Sequence, residues 1–282
     1  MKVKTARHSG YCFGVKRALK ILNGILKENQ NKKTKIFTLG SIIHNSGVTS
    51  ELAKKGLISA RELKEIKPGS IFIIRSHGMS PKLINEIKKK DVEIIDATCP
   101  FVKKAQARAE ALSKDGYFVL IIGNKNHPEV IGIKDHILNE NYMVIESKKD
   151  AEKLVDKKKI GVVVQTTQTI EKLRLITDKL LEKTKELVIY NTICNTTKKR
   201  QDLAKELAKN VDMMIVVGGK NSENTRHLMD ISKKFNASTY HIENYREIKP
   251  QWFKNVKLVG ISGGASTPIE DIIDVKKAVE KL

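Results

Sequence analysis

Short runs of β-branched and aliphatic residues alternate along this chain with longer stretches in which apolar and charged positions recur at helical spacing. The runs include Ile36 to Leu39, Ile71 to Ile74, Val92 to Ile95, Phe118 to Ile122, Val162 to Val164, Leu187 to Ile189, Met213 to Val217 and Leu258 to Ile261. Near-continuous Val/Ile/Leu runs are the pattern of strands buried on both faces, and the segments of about 10–20 residues between them predict helical crossovers. Phe101 to Ser113 and Thr197 to Ala208 are two such helices. An α/β fold built on parallel sheets is therefore expected, with ligands held beyond the carboxyl ends of the strands.

A second pattern is superimposed on the first. Cys12, Cys99 and Cys194 each open a similar phrase, with a basic pair four and five residues on: Lys16-Arg17, Lys103-Lys104 and Lys198-Lys199. The spacings are 87 and 95 residues, and apolar runs lead into two of the three thiols. Polar clusters follow the remaining runs at similar offsets. The first set is His44-Asn45, His127-Pro128-Glu129 and Ser222-Glu223-Asn224; the second is His77-Gly78, Gln165-Thr166-Thr167 and Gly264-Ala265-Ser266. Self-similarity of this kind sets architecture directly. It predicts three similar α/β units, residues 1–98, 99–193 and 194–282, the last ending in a C-terminal helix. Facing inward, they would gather nine loops and three thiols about one central cavity.

Composition narrows the class. No apolar segment follows Met1-Lys2-Val3-Lys4, and no run is long enough to span a bilayer, so a soluble cytoplasmic protein is expected. An odd number of cysteines, with no Cys-x-x-Cys pair, argues against a disulfide framework and for metal or catalytic use. A lone cytosolic cysteine is most often a small buried hydrophobe; three at matched repeat positions reverse that reading. The formal net charge is +21, but the 53 basic residues comprise 44 lysines and only 9 arginines, and aromatics make up 5% of the chain. Arginine forks and stacking rings are thin, so a solvated basic surface that attracts acidic partners and phosphorylated substrates outweighs nucleic-acid binding.

A thiol at a helix start meets the positive end of the macrodipole, which favours the thiolate that ligates metals. Structural zinc prefers four ligands in short-spaced pairs, which are missing here. A catalytic zinc with three ligands stays open, although three thiolates would leave it a poor Lewis acid. A four-iron cluster on three cysteines keeps one iron free for substrate, and is the preferred reading on chemical grounds. His44, His77, His127, Thr166, Thr167, Ser222, Asn224 and Ser266, with Gly-rich backbone at helix starts, suit an anion such as phosphate. Apart from Glu223, Glu129 is the one carboxylate among these loops, and so the candidate proton donor. His8, His136, His227 and His241 fall outside the repeat, Trp252 reads as packing, and neither Gly218-Gly219-Lys220 nor Gly260 to Gly264 fits a nucleotide-binding motif.

From end to end the chain resembles the 4-hydroxy-3-methylbut-2-enyl diphosphate reductases, which catalyse the last step of the methylerythritol phosphate route to isoprenoids. The resemblance rests on Cys12-x-Gly14-Val15, His44-Asn45, His77-Gly78, Asp96-Ala97-Thr98-Cys99-Pro100, His127-Pro128-Glu129-Val130, Gln165-Thr166-Thr167, Asn191-Thr192-Ile193-Cys194, Lys220-Asn221-Ser222 and Gly264-Ala265-Ser266, in that order. It implies three α/β domains in a pseudo-threefold arrangement around one 4Fe-4S cluster, held by Cys12, Cys99 and Cys194 with one open iron. It further implies a diphosphate held by His44, His77, Ser222, Asn224 and Ser266 with His127 close by, protons from Glu129, and Thr166 on the substrate hydroxyl. The products would be isopentenyl and dimethylallyl diphosphates, and the electron donor ferredoxin or flavodoxin.

Two positions depart from the family pattern. Glu223 stands where many members carry a second Ser, so its carboxylate is expected to turn from the diphosphate and leave only its N–H to contribute. Phe13 stands where a small residue is common. Two rivals remain: a basic RNA-binding protein with a structural metal, and a zinc-dependent phosphate-ester hydrolase using the same His and Glu. Against the first, the chain ends soon after the third unit, with no room for an appended RNA-binding domain.

Overall fold

A computed structural model describes residues 1–32 and 34–282. The chain opens with β1 (Lys2–Thr5), α1 (Phe13–Glu28), β2 (Ile36–Leu39), α2 (Ser46–Lys54), β3 (Leu57–Ala60), β4 (Ile71–Ile74), α3 (Pro81–Lys88) and β5 (Glu93–Asp96). It continues through α4 (Pro100–Lys114), β6 (Phe118–Ile122), α5 (Pro128–Lys134), β7 (Tyr142–Ile145), α6 (Lys148–Glu152), β8 (Lys157–Val164), α7 (Ile170–Leu180) and β9 (Thr184–Tyr190). The last stretch carries α8 (Asn195–Lys209), β10 (Met213–Val217), α9 (Glu223–Phe235), β11 (Thr239–Ile242), β12 (Leu258–Gly263) and α10 (Ile269–Glu280).

The strands form three four-stranded sheets, ordered β3-β2-β4-β5, β7-β6-β8-β9 and β11-β10-β12-β1, and every pairing is parallel. All three repeat one order. The strand before a cysteine is always the edge beyond the central pair, and β1 plays that part for Cys12. The expected boundaries are corrected here: residues 2–5 do not belong with residues 36–96 but complete the sheet of residues 213–263, with Lys2 to Thr5 in register with Leu258 to Ile261. The third sheet thus takes its fourth strand from the start of the chain.

Compactness divides the chain into two units rather than three. One comprises residues 1–16, 43–49 and 195–282; the other comprises 17–42 and 50–194 and holds two of the sheets. Central strands β10 and β8 are buried along whole stretches, Met213 to Val217 and Ile160 to Val164, because helices cover both faces. Each such side chain contributes about 1.5–3 kcal/mol when fully buried. Helix α8 shows how the crossovers seat: Thr197, Arg200, Gln201, Ala204 and Ala208 recur at three- and four-residue steps and form its buried stripe. Trp252, read as packing, stacks on Tyr240 at 4.0 Å in the core of its unit.

Candidate active site

Each cysteine sits at a helix start. Cys12 precedes α1, Cys99 caps α4 with Pro100 at the first helical position, and Cys194 precedes α8. None of the three is in a disulfide, and each is partly exposed. One main-chain bond recurs three times. The Cys12 N–H donates to Ala265 O at 2.9 Å, the Cys99 N–H to Ser76 O at 3.0 Å, and the Cys194 N–H to Thr166 O at 3.0 Å. In each case the acceptor lies in the loop after the neighbouring strand: β12, β4 or β8. The thiol that follows an edge strand is thus fixed to the polar loop beside it. The sheets therefore set Cys99 beside His77, Cys194 beside Thr166, and Cys12 beside Ser266.

The Cys12 loop is held most firmly. Ser9 Oγ donates to Ala6 O at 2.8 Å and accepts from the Gly263 N–H at 3.2 Å. Arg200, only 2% exposed, sends Nη1 to Gly263 O at 2.6 Å and Nη2 to Gly10 O at 2.8 Å. The Val15 N–H lies 3.5 Å from the Cys12 sulfur. Phe13, the departure next to this thiol, is 57% exposed and so does not crowd it.

The same unit carries a second group of predicted residues. Asn45 caps α2 through its Oδ1, which accepts the Val48 N–H at 2.9 Å and fixes the turn at His44. Ser266 Oγ donates to His44 O at 2.9 Å. Gly219 approaches that carbonyl so closely that a Cβ there would lie 2.8 Å from it, so only glycine fits. Ser222 caps α9, accepting the Thr225 N–H at 3.4 Å, which places Glu223 and Asn224 in the first helical turn. Asn224 is 5% exposed, and among the described residues neither its amide nitrogen nor its amide oxygen has a hydrogen-bond partner. Buried polar atoms are nearly always satisfied, and an exception points to a ligand or water. The Glu223 carboxylate is buried with Arg226 Nη2 3.5 Å away, one turn on.

The other unit brings Glu129 and Thr166 together. Glu129 is 2% exposed; its Oε1 accepts the Thr166 N–H at 2.6 Å and its Oε2 the Thr166 hydroxyl at 2.8 Å. His127 caps α5, its Nδ1 accepting the Glu129 N–H at 3.2 Å, and its ring meets that of His77 edge-on with centroids 5.6 Å apart. Gln165 Oε1 accepts the Asn124 N–H at 2.9 Å, tying the loop after β8 to that after β6. Asp96, two residues before Thr98, accepts the Thr98 N–H at 2.8 Å and pairs with Lys103 at 2.5 Å. Burial pushes its carboxyl up, but these partners outweigh burial and hold it below its ordinary value.

Two of the four histidines set aside on sequence have structural work. His136 Nδ1 contacts Gly132 O at 2.6 Å and His241 Nε2 contacts Gly218 O at 2.8 Å. Sequence reasoning passed over Arg200 and Gln106, both buried. Each follows its cysteine by six or seven residues on the inward stripe of a helix, and a polar residue interrupting an apolar stripe was the available signal. Among the described residues, no helix is long and apolar enough to cross a membrane.

Comparison with known proteins places this arrangement. A family profile described as "LytB protein" matches residues 3–280. The 4-hydroxy-3-methylbut-2-enyl diphosphate reductase of Aquifex aeolicus is 44% identical over 98% of this chain and 95% of its own. That of Caldanaerobacter subterraneus is 45% identical, over 99% and 98%. The solved structure of an (E)-4-hydroxy-3-methyl-but-2-enyl diphosphate reductase, described as the terminal enzyme of the non-mevalonate pathway, covers both chains fully at 43% identity and a TM-score of 0.73. The Plasmodium falciparum E-1-hydroxy-2-methyl-but-2-enyl-4-diphosphate reductase superposes with a TM-score of 0.91 at 31% identity, covering 100% of this chain and 87% of that one. With its profile matched almost from end to end, the chain belongs to the LytB family.

Proposed function

We propose that this chain is a 4-hydroxy-3-methylbut-2-enyl diphosphate reductase, removing the substrate's hydroxyl to give isopentenyl and dimethylallyl diphosphates. The observation that carries the reading is the thrice-repeated setting of a cysteine at a helix start, bonded through its N–H to a main-chain carbonyl of a polar loop. Three partly exposed thiols outside any disulfide fit the family's iron–sulfur chemistry as a donor set. When bound, a 4Fe-4S cluster on Cys12, Cys99 and Cys194 supplies electrons and one Lewis-acidic iron without a protein ligand.

The reaction balances as R–OH plus two electrons and two protons giving R–H and water. His44, His77, His127, Ser222, Asn224 and Ser266 hold the diphosphate. The buried, unpartnered Asn224 amide and the start of α9 suit an anion. Arg226 engages the Glu223 carboxylate, so Glu223 contributes its main-chain N–H. Glu129 delivers the proton. The Thr166 N–H occupies Oε1, so the proton rides on Oε2, and the Thr166 hydroxyl can turn to accept from it while donating to the substrate's hydroxyl. Electrons come from an acidic carrier of the ferredoxin or flavodoxin kind, which suits a net charge of +21 in the cytoplasm.

The test is the absorption spectrum and iron and sulfide content of protein purified without oxygen. A broad brown visible band with about four irons per chain is expected. A colourless protein that cannot be reconstituted, or one that binds zinc and hydrolyses phosphate esters, overturns the reading.

A further inference from the structure

We propose that Arg200 is a positioning residue that couples the Cys12 loop to the Ser266 loop, so that cluster retention and diphosphate binding stand or fall together. This rests on the reading of Cys12 as a cluster ligand and Ser266 as a diphosphate contact.

Arg200 occupies an inward position of α8 that the helix pattern would fill with an apolar residue, between Thr197 and Ala204. Burying a guanidinium is costly unless its donors are well placed. Here they are placed on function. The planar fork presents two N–H groups in fixed geometry, and it spans two loops from opposite ends of the chain. Nη2 holds the carbonyl of Gly10, two residues before Cys12; Nη1 holds that of Gly263, three residues before Ser266. Gly10 has φ +95, a conformation other residues rarely adopt, so its carbonyl orientation is specific to this turn.

The two loops are joined again beyond the arginine. The Cys12 N–H donates to Ala265 O at 2.9 Å, and the Gly263 N–H donates to Ser9 Oγ at 3.2 Å. Ser266 Oγ then reaches His44 O at 2.9 Å. Arg200 thus closes a ring of hydrogen bonds running from Gly10 through Cys12, Ala265 and Gly263, with the His44 turn attached to it. A guanidinium is never deprotonated in a protein, so the link does not switch with pH. Displacing either loop must strain the other.

Arg200→Lys and Arg200→Met, reconstituted without oxygen, test this. An ammonium can reach one carbonyl and a thioether neither. Three readouts are taken: iron per chain, half-life of the visible band under a mild chelator, and pyrophosphate affinity by calorimetry on both cluster-loaded and cluster-free protein. Losing such a supporting group typically costs about 10–100-fold in metal affinity or activity. Arg200→Met should therefore lose its cluster about tenfold faster and bind pyrophosphate about tenfold more weakly, with Arg200→Lys intermediate in both. A double-mutant cycle separates coupling from general loosening. Ser266→Ala should weaken pyrophosphate binding at least about threefold less in the Arg200→Lys background than alone. Strict additivity, or faster cluster loss with unchanged pyrophosphate affinity, overturns the proposal. Absence of cluster or pyrophosphate binding in the parent protein would instead overturn the functional reading. If Arg200→Met does not fold, the Arg200→Lys cycle decides alone.

Discussion

Replacing Glu129 by Gln asks most of the site with the smallest change of shape. The carboxylate takes two hydrogen bonds from one residue, Thr166, through Oε1 at 2.6 Å and Oε2 at 2.8 Å. In Gln the amide oxygen must face the Thr166 N–H, because that donor cannot turn. The amide NH2 then faces the Thr166 hydroxyl, which reverses to accept. Both bonds survive, but neither is charge-assisted. Each falls from about 1.5–3 kcal/mol to about 0.5–1.5 kcal/mol, so the fold should lose roughly 2 kcal/mol and remain folded. Turnover should suffer far more. A positioned general acid contributes about 10²–10⁴-fold, and the reversed hydroxyl, though still turned outward, has behind it an amide that gives up no proton. With iron content matched, steady-state and single-turnover reduction by a chemical one-electron donor should slow at least about a hundredfold, or about 2.7 kcal/mol of barrier. KM should change little, because the lost interaction belongs to the transition state. A rate within a few-fold of the parent would refute the assignment and move the proton source to His127, Thr166 or the diphosphate.

Three other substitutions probe the frame around it. Cys99→Ser should abolish the cluster yet leave thermal stability nearly intact, because the bond that seats this loop is the main-chain one to Ser76 O; full iron content and turnover would contradict three-thiol ligation. Gly78→Ala should lower stability and raise KM, since Gly78 has φ +78 and a Cβ would lie 2.6 Å from Gln106 Nε2; the backbone conformation alone costs an Ala about 1–2 kcal/mol, and an unshifted melting curve would show the His77 turn to be loose. Asp96→Asn should cost under about 1 kcal/mol at neutral pH, since the Asp96–Lys103 pair is partly exposed. The Asp96 carboxyl is held below its ordinary 3.8, so its contribution is present above that value and fades as pH falls beneath it. The parent and variant melting points should therefore converge in acid, and a gap that widened there would contradict the sign.

The buried strands were legible because burial on both faces writes itself as an unbroken apolar run: Phe118 to Ile122, Met213 to Val217 and Leu258 to Ile261 appear as read, to within two residues. Of the edge strands, β5 and β9 were read, but β1, β3, β7 and β11 were not. β3, β7 and β11 are four residues each, and β1 reads Lys2-Val3-Lys4-Thr5, with charges that solvate an unpaired edge and erase the apolar signal. Missing β1 shifted the phase of the whole repeat, grouping Cys12 with His44 and His77 when the sheets set Cys99 beside His77. Glu129 and Thr166 were legible as residue types, but their pairing was not, because it joins loops 37 residues apart through a helix start. Arg200 was least legible, since a lysine-rich helix hides one inward arginine among many outward charges.

The recurring N–H bond fixes all three thiols through backbone, and at Cys12 the side chains of Ser9 and Arg200 add to it. After an edge strand ends, the cysteine's N–H has no further strand to pair with on the outer side, and its neighbour's loop supplies the acceptor. The constraint is carried by backbone, so a neighbour such as Phe13 can vary without moving the sulfur. For Cys99 and Cys194 the acceptor lies within 30 residues, at Ser76 and Thr166. For Cys12 it is Ala265, 253 residues away. Closing that loop costs only a little more free energy than closing a short one, since the cost grows with the logarithm of length. Strand β1 pairs with β12, so the Cys12 loop is seated only where the third sheet is in place and Arg200 has both carbonyls to bind. If Cys12 ligates a cluster as proposed, the bonds that hold its loop are what keep that ligand in position to receive it.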